Sequence, residues 1–311
     1  PLPFPILPRP MADRIQDAAA SIADLCEKGI RRIELIGARA SYGAHLLSEL
    51  ARGRPAIAVT PTADGARRLT RDLRFFLARN ETPLSLLEEP VLHYPARGNS
   101  PYTEVTPERD LLQRRLAVLF ALAQGLGPRL VVTSMEAMQE KVIPRAALTA
   151  ASDFLVSGDD VDREGLIARL SQAGYTRVPV VEDVGTFAVR GYILDVYSPL
   201  YRYPVRAELS GDEVESLRLF TPDDQRSMGA LQEAYFGPVR EELYTEAGAQ
   251  RARRALQERA DEASMPSLAL RRLLDDLDQH IHFFGVESLL PGFHTHLAPL
   301  FDYLPPAPLY Y

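Results

Sequence analysis

With 311 residues, the chain is too long for one ordinary hydrophobic core and suits two or three domains. Its composition, 46% hydrophobic and 25% charged, is that of an ordinary globular protein, and its single cysteine, Cys26, excludes an internal disulfide. The formal net charge of −7 argues against a protein that works by covering nucleic-acid phosphates, because such binding depends on clustered lysine and arginine. No apolar run approaches the ~18 residues needed to cross a bilayer. We therefore expect a cytoplasmic protein with no membrane partner.

Residues 1–150 are predicted to form the first part of an α/β domain. Apolar runs alternate with helical stretches from about residue 30, and this alternation indicates a parallel sheet with helices on its faces. The predicted strands are IELIGA, PAIAVTP, LLEEPVLHYP and RLVVTS, and the helices that follow them are SYGAHLLSELARG, ADGARRLTRDLRFFLAR, PERDLLQRRLAVLFALAQG and MEAMQEKV.

The pattern changes in residues 151–238, which are predicted to form a small inserted α+β domain. One amphipathic helix, VDREGLIARLSQAG, comes first. Four extended runs follow it: TRVPVVEDV, TFAVRGYILDVYSP, YPVRAELSG and EVESLRLF. Hairpin-like turns are predicted at 184–186 and 210–212, where glycine is flanked by turn-forming residues. We therefore expect a helix packed on an antiparallel sheet.

Helical periodicity returns in residues 239–311. Two predicted helices, EELYTEAGAQRARRALQERADEA and PSLALRRLLDDLDQHIHFF, are followed by a proline-rich end. Two helices alone bury little apolar surface, so this segment is predicted to pack back on the first domain, which makes residues 151–238 an insertion. Because the chain lacks an initiating methionine and stops at PLYY, we expect a fragment of a longer protein.

The segment GARASYGAH, residues 37–45, lies where a phosphate-binding loop would follow the first predicted strand. A functional loop reads G-x-x-x-x-G-K-[ST], in which the lysine binds the terminal phosphates and the hydroxyl group binds magnesium. Counted from Gly37, the second glycine is replaced by Tyr42, the lysine by Gly43 and the hydroxyl residue by Ala44. The sequence therefore predicts a degenerate loop, no nucleotide cofactor and no catalysis by this chain.

Several stretches together resemble the N-terminal, UvrB-homologous region of the bacterial transcription-repair coupling factors, the Mfd family. The most specific run is 174–220, with FAVRGYILDVY at its centre. Further resemblance lies in IELIGARASYGAHLLSEL, VLHYPARGNSPYTEVTPERDLLQRRLAVLFAL, RLVVTSMEAMQEKVIPR and PLFDYLP, so that nearly the whole chain is covered. UvrB resembles the same regions but has an intact phosphate loop. The degenerate loop therefore favours the coupling-factor family.

The resemblance implies a fold and a role. The fold is a degenerate helicase-like (RecA-like, P-loop-derived) parallel-sheet domain that carries an inserted α+β UvrA-binding domain. In this family, the longer protein is an ATP-dependent translocase on double-stranded DNA that displaces stalled RNA polymerase and recruits UvrA for nucleotide excision repair. The implied function of this fragment is non-catalytic recruitment of UvrA. RNA polymerase and double-stranded DNA are implied as partners of the longer protein.

The resemblance also implies a UvrA contact surface on the inserted domain. Arg177 and Arg190 match the family's contact arginines, whereas Ala188 stands where UvrB-like sequences have a further arginine. Guanidinium groups pair bidentately with carboxylates and are frequent in interface hot spots. Phe187 and Arg206 complete the predicted contacts, although strand alternation makes Phe187 a core residue if Arg190 faces solvent. A solvated sheet face with arginines paired across strands is the alternative.

Two other functions stay open. A UvrB-type ATPase and DNA-binding subunit of the excision complex would bind ATP with magnesium. A DNA-binding module would lose affinity steeply with added salt. The basic run RLTRDLRFFLAR at 68–79 is the candidate for DNA contact, but the solvent face of an amphipathic helix explains it better.

No other motif in the sequence indicates a metal site or a catalytic site. The pairs HIH at 280–282 and HTH at 294–296 have no cysteine cluster to complete a zinc site, so no metal is expected. Ser41 and Ser134 lack any neighbouring sequence that marks a nucleophile.

Overall fold

The structure is a computed structural model. It describes residues 11–30, 32–36, 40–52, 55–78, 82–97, 108–126, 130–279, 281, 283, 285–304 and 309–310. Within these ranges no helix is both long enough and apolar enough to span a bilayer.

The helices are distributed along the whole described chain. They are α1 (Met11–Glu27), α2 (Ala40–Leu50), α3 (Ala63–Leu77), α4 (Arg109–Gln124), α5 (Met135–Gln139), α6 (Arg145–Ala150), α7 (Arg163–Gln172), α8 (Glu246–Glu262), α9 (Ser267–Asp278) and α10 (Leu290–Phe293). Short 3₁₀ turns cover Leu86–Glu88, Val286–Leu289 and Leu300–Asp302.

The strands concentrate in the middle of the chain. They are β1 (Ala56–Thr60), β2 (Leu92–His93), β3 (Leu130–Ser134), β4 (Lys141–Val142), β5 (Asp153–Val156), β6 (Thr176–Arg177), β7 (Thr186–Arg190), β8 (Ile193–Val196), β9 (Val205–Ser210), β10 (Glu213–Phe220), β11 (Ser227–Leu231), β12 (Glu233–Phe236), β13 (Ala298–Pro299) and β14 (Leu309–Tyr310).

The first part of the chain builds a parallel sheet in the strand order β14-β1-β3-β2, which confirms the predicted parallel arrangement. Every residue of β3 is buried, as expected of a strand covered on both faces. The predicted strand IELIGA is wrong, because residues 32–36 form no strand and Ile36 is 93% exposed. A β-prone run becomes a strand only where a neighbour pairs with it. Here the position beside β1 is taken by β14.

Helix α3 shows how the sequence determines local structure in this part. The hydroxyl of Thr62 caps its N-terminus and accepts a hydrogen bond from the backbone N–H of Gly65 at 3.1 Å. The buried residues Ala66, Thr70 and Leu73 recur at helical spacing and turn one face toward the sheet. The described arginines of the basic run are all exposed, which confirms the solvent face of an amphipathic helix.

The inserted segment forms a six-stranded sheet in the order β11-β10-β9-β8-β7-β6. Before and after it, β5 and β12 pair antiparallel, so that Asp153 lies opposite Phe236. One face of the large sheet packs on α7 and α4 in a single apolar cluster with the first part of the chain. Leu166 and Leu170 of α7 lie in that cluster, as expected for the predicted amphipathic helix.

Three details of the predicted sheet need correction. The run TFAVRGYILDVYSP is not one strand, because it reverses direction between β7 and β8 at Gly191, whose φ is +58°. The turn at 184–186 is not a hairpin, because β6 and β7 pair in parallel. The sheet is therefore mixed at that edge, and β11 adds a strand that the sequence analysis missed. The predicted turn at 210–212 is confirmed as the β9–β10 hairpin.

The last segment makes its own apolar cluster and also returns to the first part of the chain. Helices α8, α9 and α10 share the cluster, which includes Leu256, Leu277 and Phe293. Strand β13 pairs with β4, and β14 pairs with β1. The chain after residue 239 thus completes the sheet begun by the first part.

Candidate partner-binding surface

The face of the six-stranded sheet opposite the main apolar cluster carries several ion-paired residues beside a small buried cluster of Val181, Ala188 and Phe220. Two cross-strand rows compose it: Ala188, Asp195, Arg206 and Arg218 form one, and Arg190, Ile193, Glu208 and Ser216 form the other. We call these two rows the arginine face. Side chains alternate along each strand, so the neighbours Leu194 and Ala207 point into the core, where both are 1% exposed.

Asp195 is the organising residue of the arginine face. It is 1% exposed, and burying a lone carboxylate at such a position would be costly. Arg206 compensates the charge with two parallel hydrogen bonds, from Nε to Oδ1 at 2.6 Å and from Nη2 to Oδ2 at 2.8 Å. Arg190 adds a third hydrogen bond, from Nη2 to Oδ2 at 2.7 Å. One buried carboxylate therefore orients two arginines.

The environment of Arg206 fixes its side chain further. Its guanidinium carbon lies 4.2 Å from the ring centroid of Phe220, in a cation–π contact. Its Nη2 also donates to Oε1 of Gln225 at 2.5 Å. Because Arg206 is 8% exposed and bonded on both sides, it acts as structural support for the surface.

Arg190 is the arginine of this group that faces solvent. Its side chain is 43% exposed while its Nη2 is bonded to the buried Asp195. A guanidinium group has five N–H donors, so one hydrogen bond leaves donors available to a partner. The anchored end restricts the rotamers of the side chain, which lowers the entropy lost when a partner binds.

The arginine face contains a second ion pair, between Arg218 and Glu208. Arg218 donates from Nη1 and Nη2 to the two carboxylate oxygens of Glu208, at 2.7 Å and 2.5 Å. Ser216 donates from Oγ to the same carboxylate at 2.9 Å. The hydrogen bonds from Arg218 and then from Ser216 hold the pKa of Glu208 below its ordinary value. This pair is neutral overall, whereas Arg190, Arg206 and Asp195 together carry one net positive charge.

The structure separates the predicted contact residues. Arg190 and Arg206 meet at Asp195, but Arg177 lies on the edge strand β6, in register with Phe187 and therefore on the side of the sheet opposite Arg190. Arg177 is exposed and makes no ion pair with the part of the chain that the structure describes. The two arginines do not form one patch on one face.

Two of the predicted contacts are corrected by burial. Phe187 is 0% exposed and belongs to the main apolar cluster, so it cannot reach a partner. Arg206 lies beside Asp195 but is only 8% exposed, which leaves little of it open to a partner. Asp195 was missed by the sequence analysis. Its signal was a carboxylate inside the apolar strand ILDV, since an acidic residue there needs a cationic partner.

The degenerate phosphate loop divides between described and undescribed residues. Gly37 lies outside the described residues. Tyr42, Gly43 and Ala44 all lie within α2. Ala44 is 1% exposed, and the half-buried Tyr42 packs on the apolar cluster of α1 and α2, which includes Ile15. Tyr42 therefore contributes to the packing of the helix pair, and Ala44 is buried.

The histidine pairs give no metal centre in the part of the chain that the structure describes. No group of three His, Cys, Asp or Glu residues there could hold a metal ion, and His280 and His282 lie outside that part. His294 is buried, and its Nε2 lies 2.8 Å from the backbone oxygen of Glu241, which indicates a structural role.

Comparison with known proteins shows which proteins the chain is similar to. Residues 154–241 match the UvrB interaction domain. The chain is 40% identical over 299 residues to the transcription-repair-coupling factor of Myxococcus xanthus, covering 94% of this chain and 25% of the relative. The factor of Mycobacterium tuberculosis is 33% identical over 219 residues (68% of this chain, 17% of the relative), and that of Bacillus subtilis is 32% identical over 231 residues (72% and 18%). The chain thus spans a quarter or less of the length of these relatives.

Proposed function

Because the chain is homologous to a segment of the transcription-repair-coupling factors and contains a UvrB interaction domain, we propose that it recruits UvrA in transcription-coupled nucleotide excision repair without catalysing a reaction. The observation that carries the proposal is the position of the domain match. Residues 154–241 include the whole six-stranded sheet and hence the arginine face. The activity and the other partners of the much longer relatives are not assigned to this segment.

The arginine face supplies the recognition chemistry. Arg190 presents a partly exposed guanidinium group that is held from behind by the buried Asp195. A carboxylate on UvrA would bind the side of the guanidinium group that otherwise faces water. Charge-assisted hydrogen bonds to guanidinium are strong and directional. We assign direct contact to Arg190 and support to Asp195 and Arg206.

Arg177 is proposed as a second, separate contact. It lies on the edge strand β6, where backbone and side chains of a sheet are open to a partner chain. Since the register places it away from Arg190, a partner that touches both must wrap around the β6–β7 edge. Phe187 is left out of the contact set because it is buried.

We propose that this chain is not catalytic because of the residues in the first turns of α2. A phosphate loop without its lysine and its magnesium-binding hydroxyl loses the charges that neutralise a nucleoside triphosphate. In this chain Tyr42 instead packs on the apolar cluster of α1 and α2, and Ala44 is buried. Presentation of a binding surface does not need a nucleotide.

The test is a titration of this chain with UvrA from the same organism. We expect saturable binding that weakens at least tenfold in Arg190→Glu, because charge reversal sets a carboxylate against the partner's carboxylate. Arg177→Glu should weaken binding by a smaller factor, since its side chain is not preorganised. The matched control is Arg271→Glu on α9, another exposed arginine, which lies outside the matched domain and should leave the affinity unchanged.

Competition with UvrB tests whether this chain binds the same site on UvrA as UvrB does. If the arginine face occupies the site on UvrA that UvrB uses, added UvrB should displace this chain. A ternary complex of all three proteins would contradict that proposal. Absence of binding at micromolar concentrations, with a folded protein, would overturn the recruitment function itself.

A further inference from the structure

The tip of the β7–β8 hairpin stands directly beside Arg190. Arg190 pairs with Ile193 across the hairpin, so the loop consists of two residues, Gly191 and Tyr192. Gly191 has φ +58°, which an L side chain rarely adopts and which a glycine supplies at the first position of a two-residue turn. Tyr192 follows it with 67% of its surface exposed.

The backbone of this tip is held from two sides. The N–H of Leu209 on β9 donates to the carbonyl oxygen of Tyr192 at 2.8 Å. Nη2 of Arg163, at the start of α7, donates to the carbonyl oxygen of Gly191 at 2.6 Å. Both hydrogen bonds tie the turn to other elements of the domain. The exposed ring of Tyr192 therefore projects from an ordered backbone.

An exposed tyrosine on an ordered turn is suited to binding. Its ring offers a large amphipathic contact surface, and only two side-chain torsions need to be fixed when it is buried. Tyrosine and arginine are both enriched among interface hot spots. In this hairpin the two types stand two residues apart, and Arg190 is already restrained by Asp195. The tip thus joins an aromatic group to a charged group.

The charge of the surroundings defines the partner surface further. Glu208 and Arg218 neutralise each other, while Asp195 offsets only one of the two arginines that it binds. The net positive charge of the face is therefore next to the tip. A complementary surface has a carboxylate for Arg190 and, beside it, an apolar recess wide enough for a phenol ring.

We propose that Tyr192 is the aromatic anchor of the UvrA interface and inserts into an apolar recess of UvrA next to the carboxylate bound by Arg190. This inference rests on the proposed function. It adds a residue that determines affinity through ring burial, independently of charge.

The first experiment compares UvrA affinity across three variants of the intact chain. Tyr192→Ala should raise the dissociation constant at least tenfold, mainly through faster dissociation, whereas Tyr192→Phe should stay within about threefold of the unchanged chain. Phe154→Ala is the matched control. Phe154 is 61% exposed in the same domain but lies on β5, beside Tyr235, and its removal should leave the affinity unchanged.

The outcomes separate this inference from the function on which it depends. If the chain binds UvrA and Arg190→Glu weakens binding, but Tyr192→Ala stays within twofold, the anchor is refuted and the recruitment function stands. An equal loss in Tyr192→Phe and Tyr192→Ala would also refute ring burial, because the hydroxyl group alone would carry the effect. No binding by the unchanged chain refutes both.

A second measurement reports burial directly. The chain contains no tryptophan, so Tyr192→Trp labelled with 5-fluorotryptophan gives a single ¹⁹F resonance. Saturating unlabelled UvrA should shift and broaden this resonance and protect it from a soluble paramagnetic agent. An unshifted, unprotected resonance in a sample where binding is saturated would overturn the proposal.

Discussion

Replacing Asp195 by Asn should destabilise the fold strongly while hardly changing the shape of the side chain. The substitution removes the charge that compensates Arg206, which is 8% exposed and bonded to both carboxylate oxygens. Removing one member of a buried ion pair typically costs about 3–5 kcal/mol, because the other charge stays buried without compensation. Arg190 adds little, since its side chain is 43% exposed and its charge can be hydrated. We expect a loss of about 3–4 kcal/mol.

Urea unfolding followed by circular dichroism measures this loss. The control is Glu208→Gln, which breaks the more exposed pair with Arg218 and should cost about 1 kcal/mol or less. A rescue variant joins Asp195→Leu with Arg206→Met, which removes both charges and should recover much of the lost stability. If Asp195→Asn lies within about 1 kcal/mol of the unchanged protein, or if the double variant is no more stable than the single one, the compensation argument is refuted.

Three further predictions concern the core, acid stability and nucleotide binding. Phe187→Ala should cost about 3–5 kcal/mol by leaving a cavity, whereas folded Phe187→Leu should keep its UvrA affinity, and a tenfold loss there would contradict the buried position. Burial, followed by the charge of Arg114, lowers the pKa of His93 to about 4, so its neutral form is favoured in the fold. The resulting stabilisation is complete above pH ~6.5 and is lost as the pH falls toward 4. The loss reaches about 3 kcal/mol, at ~1.4 kcal/mol per pH unit. In His93→Gln the urea midpoint should therefore change less with pH across this range. Isothermal titration with Mg-ATP should show no binding at micromolar concentrations, and a micromolar dissociation constant would contradict the packing role of Tyr42 and Ala44.

Local patterns predicted α2, α3, α4, α7, α8 and α9 and the strands β1, β3 and β10, whereas α1 and α6 were not predicted. Thr62 with Ala66, Thr70 and Leu73 specifies α3 by capping and spacing alone, and EVESLRLF coincides with β10. The pairing of strands was not predictable in the same way. Residues 32–36 have a strand-like composition but no neighbour, because a segment nearly 280 residues later pairs with β1 instead.

The binding role of the predicted contact residues stays a prediction, and only their burial and register can be compared with the structure. The sequence analysis proposed Arg190 as a contact, and its side chain is 43% exposed; it also gave the core as the alternative for Phe187, which is 0% exposed. It treated TFAVRGYILDVY as one strand, so the reversal at Gly191 and the exposed position of Tyr192 were missed. A glycine inside a β-prone run can belong to a strand or to a turn, and the sequence alone does not distinguish them. Asp195 gains its role only once β8 and β9 are side by side.

The pairing of β5 with β12 has a mechanical consequence for the segment that lies between them. Since Asp153 lies opposite Phe236, tension along the backbone enters and leaves the domain at adjacent points. The load then falls first on this short ladder, while the backbone hydrogen bonds from Leu86 to Leu200 and from Arg202 to Leu84 tie the six-stranded sheet to the first part of the chain. Pulling from these two points would open the ladder one residue pair at a time, starting at Asp153 and Phe236. The arginine face lies on other strands, so we expect it to keep its shape while the first pairs of the ladder open.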